Sequence, residues 1–144
     1  MKEKDSIFLI LAGLLLLSAG KKAKFRAPVK GRVSSPFGKR GSTFHNGIDI
    51  AVPVGTAVKA PAGGTVARIY TTSNGGKQMI VNHDNGFTSG YAHLDKFYFG
   101  AGAKVKKGTV IAKSGSTGNL TGAHLHFSWR KDGKYKNPSY YFSF

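Results

Sequence analysis

The sequence predicts an all-β fold, an antiparallel sheet arranged as a sandwich or barrel, preceded by a hydrophobic N-terminal helix. Short runs rich in β-branched and aromatic residues recur between Gly, Pro, Asn and Asp, a pattern typical of antiparallel strands joined by tight turns. Two of the intervening segments, 74–76 and 84–86, have the composition of hairpin turns. After residue 30 no segment shows a convincing helical period. The predicted strands are Thr65–Tyr70, Lys77–Asn82, Phe87–His93, Thr109–Lys113 and Ala123–Trp129.

The chain begins with a continuous apolar run from Ile7 to Leu17, which small residues extend to Gly20. The run has the length of a signal-peptide core and is short for a comfortable membrane span. We therefore predict that residues 1–22 form a signal or membrane anchor, with the membrane contacted through residues 7–20. The alternative is a buried N-terminal helix of a soluble protein.

The charges that flank this run are the reverse of what simple export favours. The two lysines before the run are nearly offset by Glu3 and Asp5, whereas four basic residues follow it before residue 27. Basic residues prefer the cytoplasmic side of a membrane, so this balance disfavours simple translocation of the domain. The predicted localisation is membrane-anchored or exported to the cell envelope. A third case is a phage-encoded protein carried in or on a virion membrane.

The remaining chain is divided into a basic linker, residues 23–30, and one domain, residues 31–144, which is long enough to bury a single core. The net charge of +16, from 22 Lys and Arg against 6 Asp and Glu, is too large for a solvated surface alone. It predicts an anionic partner such as nucleic acid, acidic lipid or an anionic cell wall. Nucleic acid is the least favoured of these because no binding motif is recognisable. The oligomeric state is left open.

Two clusters of metal-binding residue types stand far apart in the sequence. His124 and His126 lie two apart in a predicted strand, so their imidazoles share one face. Upstream, Gly47 and the apolar residues that follow it place His45 and Asp49 in a loop leading into a strand. A catalytic zinc commonly takes three protein ligands. His45, Asp49 and one of the strand histidines would make that set.

Acid/base chemistry would then fall on the remaining strand histidine and on His93. The only glutamate in the chain is Glu3, outside the predicted domain, so a glutamate general base is excluded there. The chain has no cysteine, which excludes disulfides, thiolate metal sites and a cysteine nucleophile. His83 precedes a predicted hairpin turn, and we interpret it as a surface or turn histidine without a catalytic role.

These motifs resemble the LytM/lysostaphin-type zinc endopeptidases, peptidase family M23. The family's H-x-x-x-D falls on His45 and Asp49, its H-x-H on His124 and His126, and its Y-x-H-L on the segment that contains His93. Weaker matches are the segments Val33–Gly38 and Thr117–Gly122. The resemblance extends from about Ala27 to Phe127.

The resemblance implies an antiparallel fold related in part to the hammerhead barrels of lipoyl and biotinyl domains. It implies one Zn²⁺ per chain, held by His45, Asp49 and His126, with His93 and His124 as catalytic residues. The implied activity is hydrolysis of peptide cross-links in peptidoglycan, and both a glycine bridge and a diaminopimelate cross-link fit the family.

Other classes of protein remain open at this stage. A non-catalytic wall-binding or regulatory module on the same fold is expected to lack one or more ligand positions, and here all three are present. A lipoyl or biotinyl carrier needs a lysine at a tight hairpin, where Lys77 is the nearest candidate without a convincing motif. A phosphocarrier could use two histidines without Asp49, and metal content would distinguish it.

The aromatic tail Tyr135–Phe144 is predicted to close the edge of the domain.

Overall fold

Strands make up almost all the regular structure of residues 24–144, the part of the chain that the computed structural model describes. The remainder of the regular structure is two single-turn 3-10 helices, Asp84–Gly86 and Pro138–Tyr140. The all-β prediction is confirmed, and each of the five predicted strands is present. The strands are β1 (Arg32–Ser35), β2 (Gly38–Arg40), β3 (Thr43–His45), β4 (Gly47–Ala51), β5 (Ala57–Lys59), β6 (Gly64–Thr72), β7 (Gly76–His83), β8 (Phe87–Phe97), β9 (Lys104–Val105), β10 (Val110–Ser114), β11 (Leu125–Lys131) and β12 (Lys134–Lys136).

The predicted N-terminal hydrophobic helix and the segment 1–22 lie outside the described residues. Within 24–144, no helix has the length and apolar character needed to cross a membrane. The predicted linker, from residue 24 onward, lies against the domain. The ring of Phe25 is 5.0 Å from that of Trp129, and the backbone N–H of Arg26 donates to the Pro61 carbonyl.

Ten strands form one antiparallel sheet, and β2 and β3 form a separate two-stranded ribbon. The main order is β1-β4-β11-β8-β7-β6-β9. The longest strand, β8, pairs with β7 and β11 over most of its length and with β10 from Leu94 to Phe97. Strand β10 in turn pairs with β5. Because β8 contributes to both parts of the sheet, the β5–β10 pair can cover one face of the central strands.

The core lies on that covered face. Along β11, Leu125, Phe127 and Trp129 are fully buried and alternate with His126, Ser128 and Arg130, which are half-buried on the opposite face. This alternation is the period of two expected of a strand with one buried face. The aromatic side chains stack in the core, and Phe142 from the C-terminal tail lies edge-on to Phe127 at 5.3 Å. The tail therefore closes the domain edge, as predicted.

Two local predictions need correction. The segment His45–Asp49 was expected to be a loop leading into a strand, but His45 ends β3 and Asp49 lies inside β4, with Asn46 alone between the strands. The five predicted strands do not include the seven strands β1–β5, β9 and β12. Each of them has five residues or fewer, too few to show a period.

The second correction concerns the surface position expected for His83, although the residue does end β7 directly before the turn Asp84–Gly86. Its ring is half-buried, bridges the Gly63 carbonyl and the Ser89 hydroxyl at 2.9 and 2.8 Å, and lies 5.6 Å from the Trp129 ring. Burial lowers the pKa of His83 below its usual value of 6.5, although hydrogen bonds to the carbonyls of Gly63 and Ala62 oppose this.

This lowered pKa predicts a pH dependence of stability. As pH falls below 6.5, the unfolded chain binds a proton on this imidazole before the folded chain does, so the free energy of unfolding falls. Replacing His83 with Gln removes that contribution. We expect denaturant unfolding between about pH 7.5 and 5 to show a smaller loss of stability for His83→Gln than for the parent chain. Parallel pH profiles for the two proteins would show that this imidazole does not resist protonation.

Candidate metal centre

Three potential metal ligands converge on the open face of the sheet. His45 Nε2 lies 3.2 Å from His126 Nδ1 and 3.3 Å from Asp49 Oδ1, and His126 Nδ1 lies 2.9 Å from the same carboxylate oxygen. A tetrahedral zinc with ligands at about 2.0–2.1 Å requires ligand atoms about 3.3 Å apart. The nearly equilateral triangle therefore has the donor types and the spacing that suit one Zn²⁺, and within residues 24–144 no fourth His, Asp or Glu belongs to this group.

The pairing of β4 with β11 sets two sides of this triangle. Asp49 and His126 are direct partners in the antiparallel register. Two residues further along, Gly47 pairs with Ser128 on the same face of the sheet. Gly47 permits this close pairing. A Cβ on Gly47 would lie 2.4 Å from the Phe127 carbonyl oxygen and 3.0 Å from His126 Cε1. Any side chain at this position would force β4 away from β11 or turn the His126 ring.

The third side depends on the orientation of the buried His45 ring. Its Nδ1 lies 2.9 Å from the Pro36 carbonyl oxygen, which can only accept, so the proton resides on Nδ1 and the Nε2 lone pair points into the triangle. Burial lowers the pKa of His45 below its usual value, and His126 and the Arg40 guanidinium act in the same direction, although the hydrogen bond to the Pro36 carbonyl and the Asp49 carboxylate oppose this. The imidazole is therefore neutral at pH 7, as a metal ligand must be.

The two oxygens of Asp49 have different neighbours. Oδ1 faces the histidines, while Oδ2 lies 3.3 Å from Arg40 Nη2, and the same nitrogen donates to the Ser35 hydroxyl. Burial alone would raise the pKa of Asp49, but the hydrogen bond from His126 and the nearby imidazoles hold that pKa below its usual value. Asp49 is thus ionised at neutral pH and held in one orientation. Sequence analysis missed Arg40, because its contact with Asp49 exists only after the β2–β3 ribbon folds over β4.

Two further histidines border the triangle. The rings of His93 and His124 are 4.8 Å apart, and His124 Nε2 lies 3.7 Å from Asp49 Oδ1. Each ring donates its Nδ1–H to a backbone carbonyl, His93 to Thr117 at 2.8 Å and His124 to Gly122 at 2.9 Å. In a neutral ring, this hydrogen bond leaves the Nε2 lone pair free to accept a proton. Burial lowers the pKa of His93, and the neighbouring imidazoles lower it further, which keeps this ring neutral.

His93 is held in a costly backbone conformation. Its φ is +63°, in the left-handed region that non-glycine residues rarely adopt. Its N–H donates to the Gly75 carbonyl and its ring to Thr117. Thr117 is itself fixed, since its hydroxyl donates to the Leu94 carbonyl at 2.6 Å and accepts from Lys77 N–H at 3.1 Å. The Thr117–Gly122 segment was noticed in the sequence, but its role in orienting His93 was not.

The structure therefore brings together all five residues that the sequence singled out: His45, Asp49, His93, His124 and His126. They line a cavity of about 790 Å³ that opens on the outer face of the sheet. The fifth histidine, His83, lies outside this cavity. An all-β scaffold with a His/Asp/His donor triangle and two further imidazoles beside it has the features of a metal-dependent hydrolase.

Comparison with known proteins agrees with this class. Residues 43–138 match Peptidase family M23, and the chain belongs to that family. It is 41% identical over 113 residues to the DD-carboxypeptidase/endopeptidase Mpg of Neisseria meningitidis, covering 74% of this chain and 26% of that protein. It is 36% identical over 111 residues to the peptidoglycan DD-endopeptidase ShyB of Vibrio cholerae, covering 77% of this chain and 24% of that protein. The chain thus spans about a quarter of the length of these curated relatives.

A solved structure shows the same fold. The crystal structure of a zinc-containing peptidase from Vibrio cholerae superposes with a TM-score of 0.75 and 32% sequence identity, covering 79% of this chain and 39% of that chain. The family resemblance and the antiparallel all-β fold class predicted from the sequence are both confirmed.

The strained backbone of His93 predicts an unusual order of stabilities. Because glycine adopts positive φ without steric cost, His93→Gly should be roughly 1 kcal/mol more stable than His93→Ala. His124 has no positive φ, so at that position the alanine variant should be the more stable of the pair. Denaturant unfolding of the four variants provides the measurement. An alanine variant at residue 93 as stable as the glycine variant would show that no strain is stored there.

Proposed function

We propose that this protein is a zinc-dependent endopeptidase that hydrolyses the peptide cross-links of bacterial peptidoglycan. The observation that carries the proposal is the donor triangle of His45, Asp49 and His126 with the imidazoles of His93 and His124 beside it. The relatives support this substrate, since Mpg is a DD-carboxypeptidase/endopeptidase and ShyB is a peptidoglycan DD-endopeptidase.

In this proposal His45 Nε2, Asp49 Oδ1 and His126 Nδ1 hold one zinc ion. A zinc ion there would polarise the scissile carbonyl and lower the pKa of a water molecule towards neutrality. Asp49 contributes the only negative charge of the donor set, and its hydrogen-bonded environment keeps it ionised. Arg40 fixes the second carboxylate oxygen, so that Oδ1 stays directed at the histidines.

His93 and His124 supply the proton transfers. Because their Nδ1–H groups are engaged by the Thr117 and Gly122 carbonyls, each Nε2 can only accept a proton at first. One imidazole takes the proton of the attacking water as the C–O bond forms. The resulting imidazolium can donate to the leaving amine nitrogen as the C–N bond breaks, while the other imidazole and its neighbours orient the reacting groups.

The surrounding charge suggests how the enzyme stays on its substrate. We propose that the net charge of +16 holds the protein on an anionic cell wall. We also propose the domain division 1–22, 23–30 and 31–144, with the first segment serving as a signal or membrane anchor. The localisation at the membrane or in the cell envelope, or in a virion, is part of the same proposal.

The proposal is tested by zinc content and by muropeptide release from isolated sacculi, measured by mass spectrometry. The parent chain should bind about one zinc and release cross-link cleavage products. His126→Ala should lose both zinc and activity, because it removes a donor. His124→Ala should keep its zinc but lose about 10²-fold or more in turnover, because it removes only a proton acceptor.

Zinc loss from His124→Ala with retention by His126→Ala would reverse the two roles. A parent protein that binds sacculi but neither binds zinc nor releases products would instead be a non-catalytic wall-binding module. Comparing the products released from glycine-bridged sacculi with those released from diaminopimelate-linked sacculi identifies which cross-link bond is cut.

A further inference from the structure

A second cavity adjoins the metal centre on the same open face of the sheet. It has a volume of about 170 Å³, and His126, Gln78 and Tyr70 line both this cavity and the larger one. The two cavities are therefore neighbours beside the donor triangle, and together they are called the groove, which crosses β11, β8 and β7. None of the described residues that line the smaller cavity is acidic.

Strand β11 forms the floor of this groove. His126, Ser128 and Arg130 occupy successive positions on its outer face. With a rise of about 3.3 Å per residue, the Arg130 Cα lies about 13 Å along the strand from that of His126. The neighbouring position on β8, opposite Ser128, is Gly90, where a Cβ would lie 2.5 Å from the Ser128 hydroxyl. Small residues thus leave the space between the metal ligand and Arg130 open for an extended chain.

Arg130 is the single cation among the described residues that line the smaller cavity. Its guanidinium lies 5.3 Å from the centre of the Tyr135 ring, which faces it from β12. It forms no ion pair with any of the four aspartates within residues 24–144. The side chain is half-buried, so its charge is partly shielded from water. A guanidinium held against an aromatic ring, without an internal carboxylate, is suited to bind a carboxylate by two parallel hydrogen bonds.

We propose that Arg130 binds a free carboxylate of the peptide substrate and selects anionic stem peptides over neutral ones. This inference rests on the proposed peptidase function. A peptide extended along the groove advances about 3.3–3.6 Å per residue. The carboxylate would therefore lie about four residues from the bond at the metal centre. A neutral glycine bridge offers no such group, so Arg130 would favour stem peptides that keep their carboxylates.

The test compares two soluble probes with the zinc-loaded full chain. One is a cross-linked stem-peptide dimer with its free carboxylates, and the other is the same dimer with those carboxylates converted to amides. The readout is the ratio of kcat/KM for the two probes within each variant, which does not depend on the folded fraction. Versions of both probes with an uncleavable methylene-amine link allow the same comparison for binding alone, as the ratio of their two Kd values.

The parent chain should prefer the carboxylate probe by about 10-fold or more, since hydrogen bonds between charged groups have this strength. Arg130→Gln should bring the ratio close to one by losing activity on the carboxylate probe alone. Arg130→Lys should restore part of the preference, because it keeps the charge without the planar fork. Arg26→Gln, the same change at an exposed arginine outside the groove, should keep the parent ratio.

Turnover of both probes without preference, or a preference that survives in Arg130→Gln, would overturn the inference and leave the proposed function intact. A parent chain that cleaves neither probe but binds the carboxylate version through Arg130 would overturn the proposed function alone. Absence of both cleavage and selective binding would overturn both.

Discussion

The close pairing of β4 with β11 is the contact on which the site depends. It places Asp49 opposite His126, and it is possible because Gly47 has no side chain to meet the Phe127 carbonyl. The same register turns the aromatic residues of β11 into the core. A slip of one residue would exchange the two faces, exposing Phe127 and burying the imidazole. The stability of the core and the geometry of the donor triangle are therefore consequences of one register.

The open face of the sheet holds several partly buried titratable side chains whose charged forms are disfavoured by burial. Burial disfavours the charged forms of His45 and His93, and their backbone carbonyl partners fix the proton on Nδ1. A hydrogen bond from His126, together with the neighbouring His45 and His124, holds the pKa of Asp49 below its usual value. The surroundings thus produce neutral imidazoles and one carboxylate at a single pH, which suits both metal binding and proton transfer. The positive φ of His93 adds backbone strain that Thr117 and Gly75 maintain.

The sequence predicted the features that are local in the chain. The five predicted strands were recognised as β-rich runs between turn residues, and the H-x-x-x-D, H-x-H and Y-x-H-L motifs identified all five residues of the site. The functions of Arg40, Gly47 and Thr117 depend on contacts with residues distant in the chain, and no spacing revealed them. His83 was misjudged for the same reason, because its partners on β8 and β11 are defined only by the folded sheet. Short strands such as β5 and β9 are likewise formed by their pairing partners and not by local pattern.

We propose that the register held by Gly47 forms the metal site, and zinc affinity measured by chelator competition tests this proposal most directly. Gly47→Ala is compared with Gly100→Ala, an exposed position where a Cβ would meet no atom within 4 Å. The account predicts that Gly47→Ala weakens zinc binding by about 10-fold or more, the usual effect of disturbing the residues that orient metal ligands, while Gly100→Ala binds like the parent chain. Parental zinc affinity in a folded Gly47→Ala protein would contradict the account.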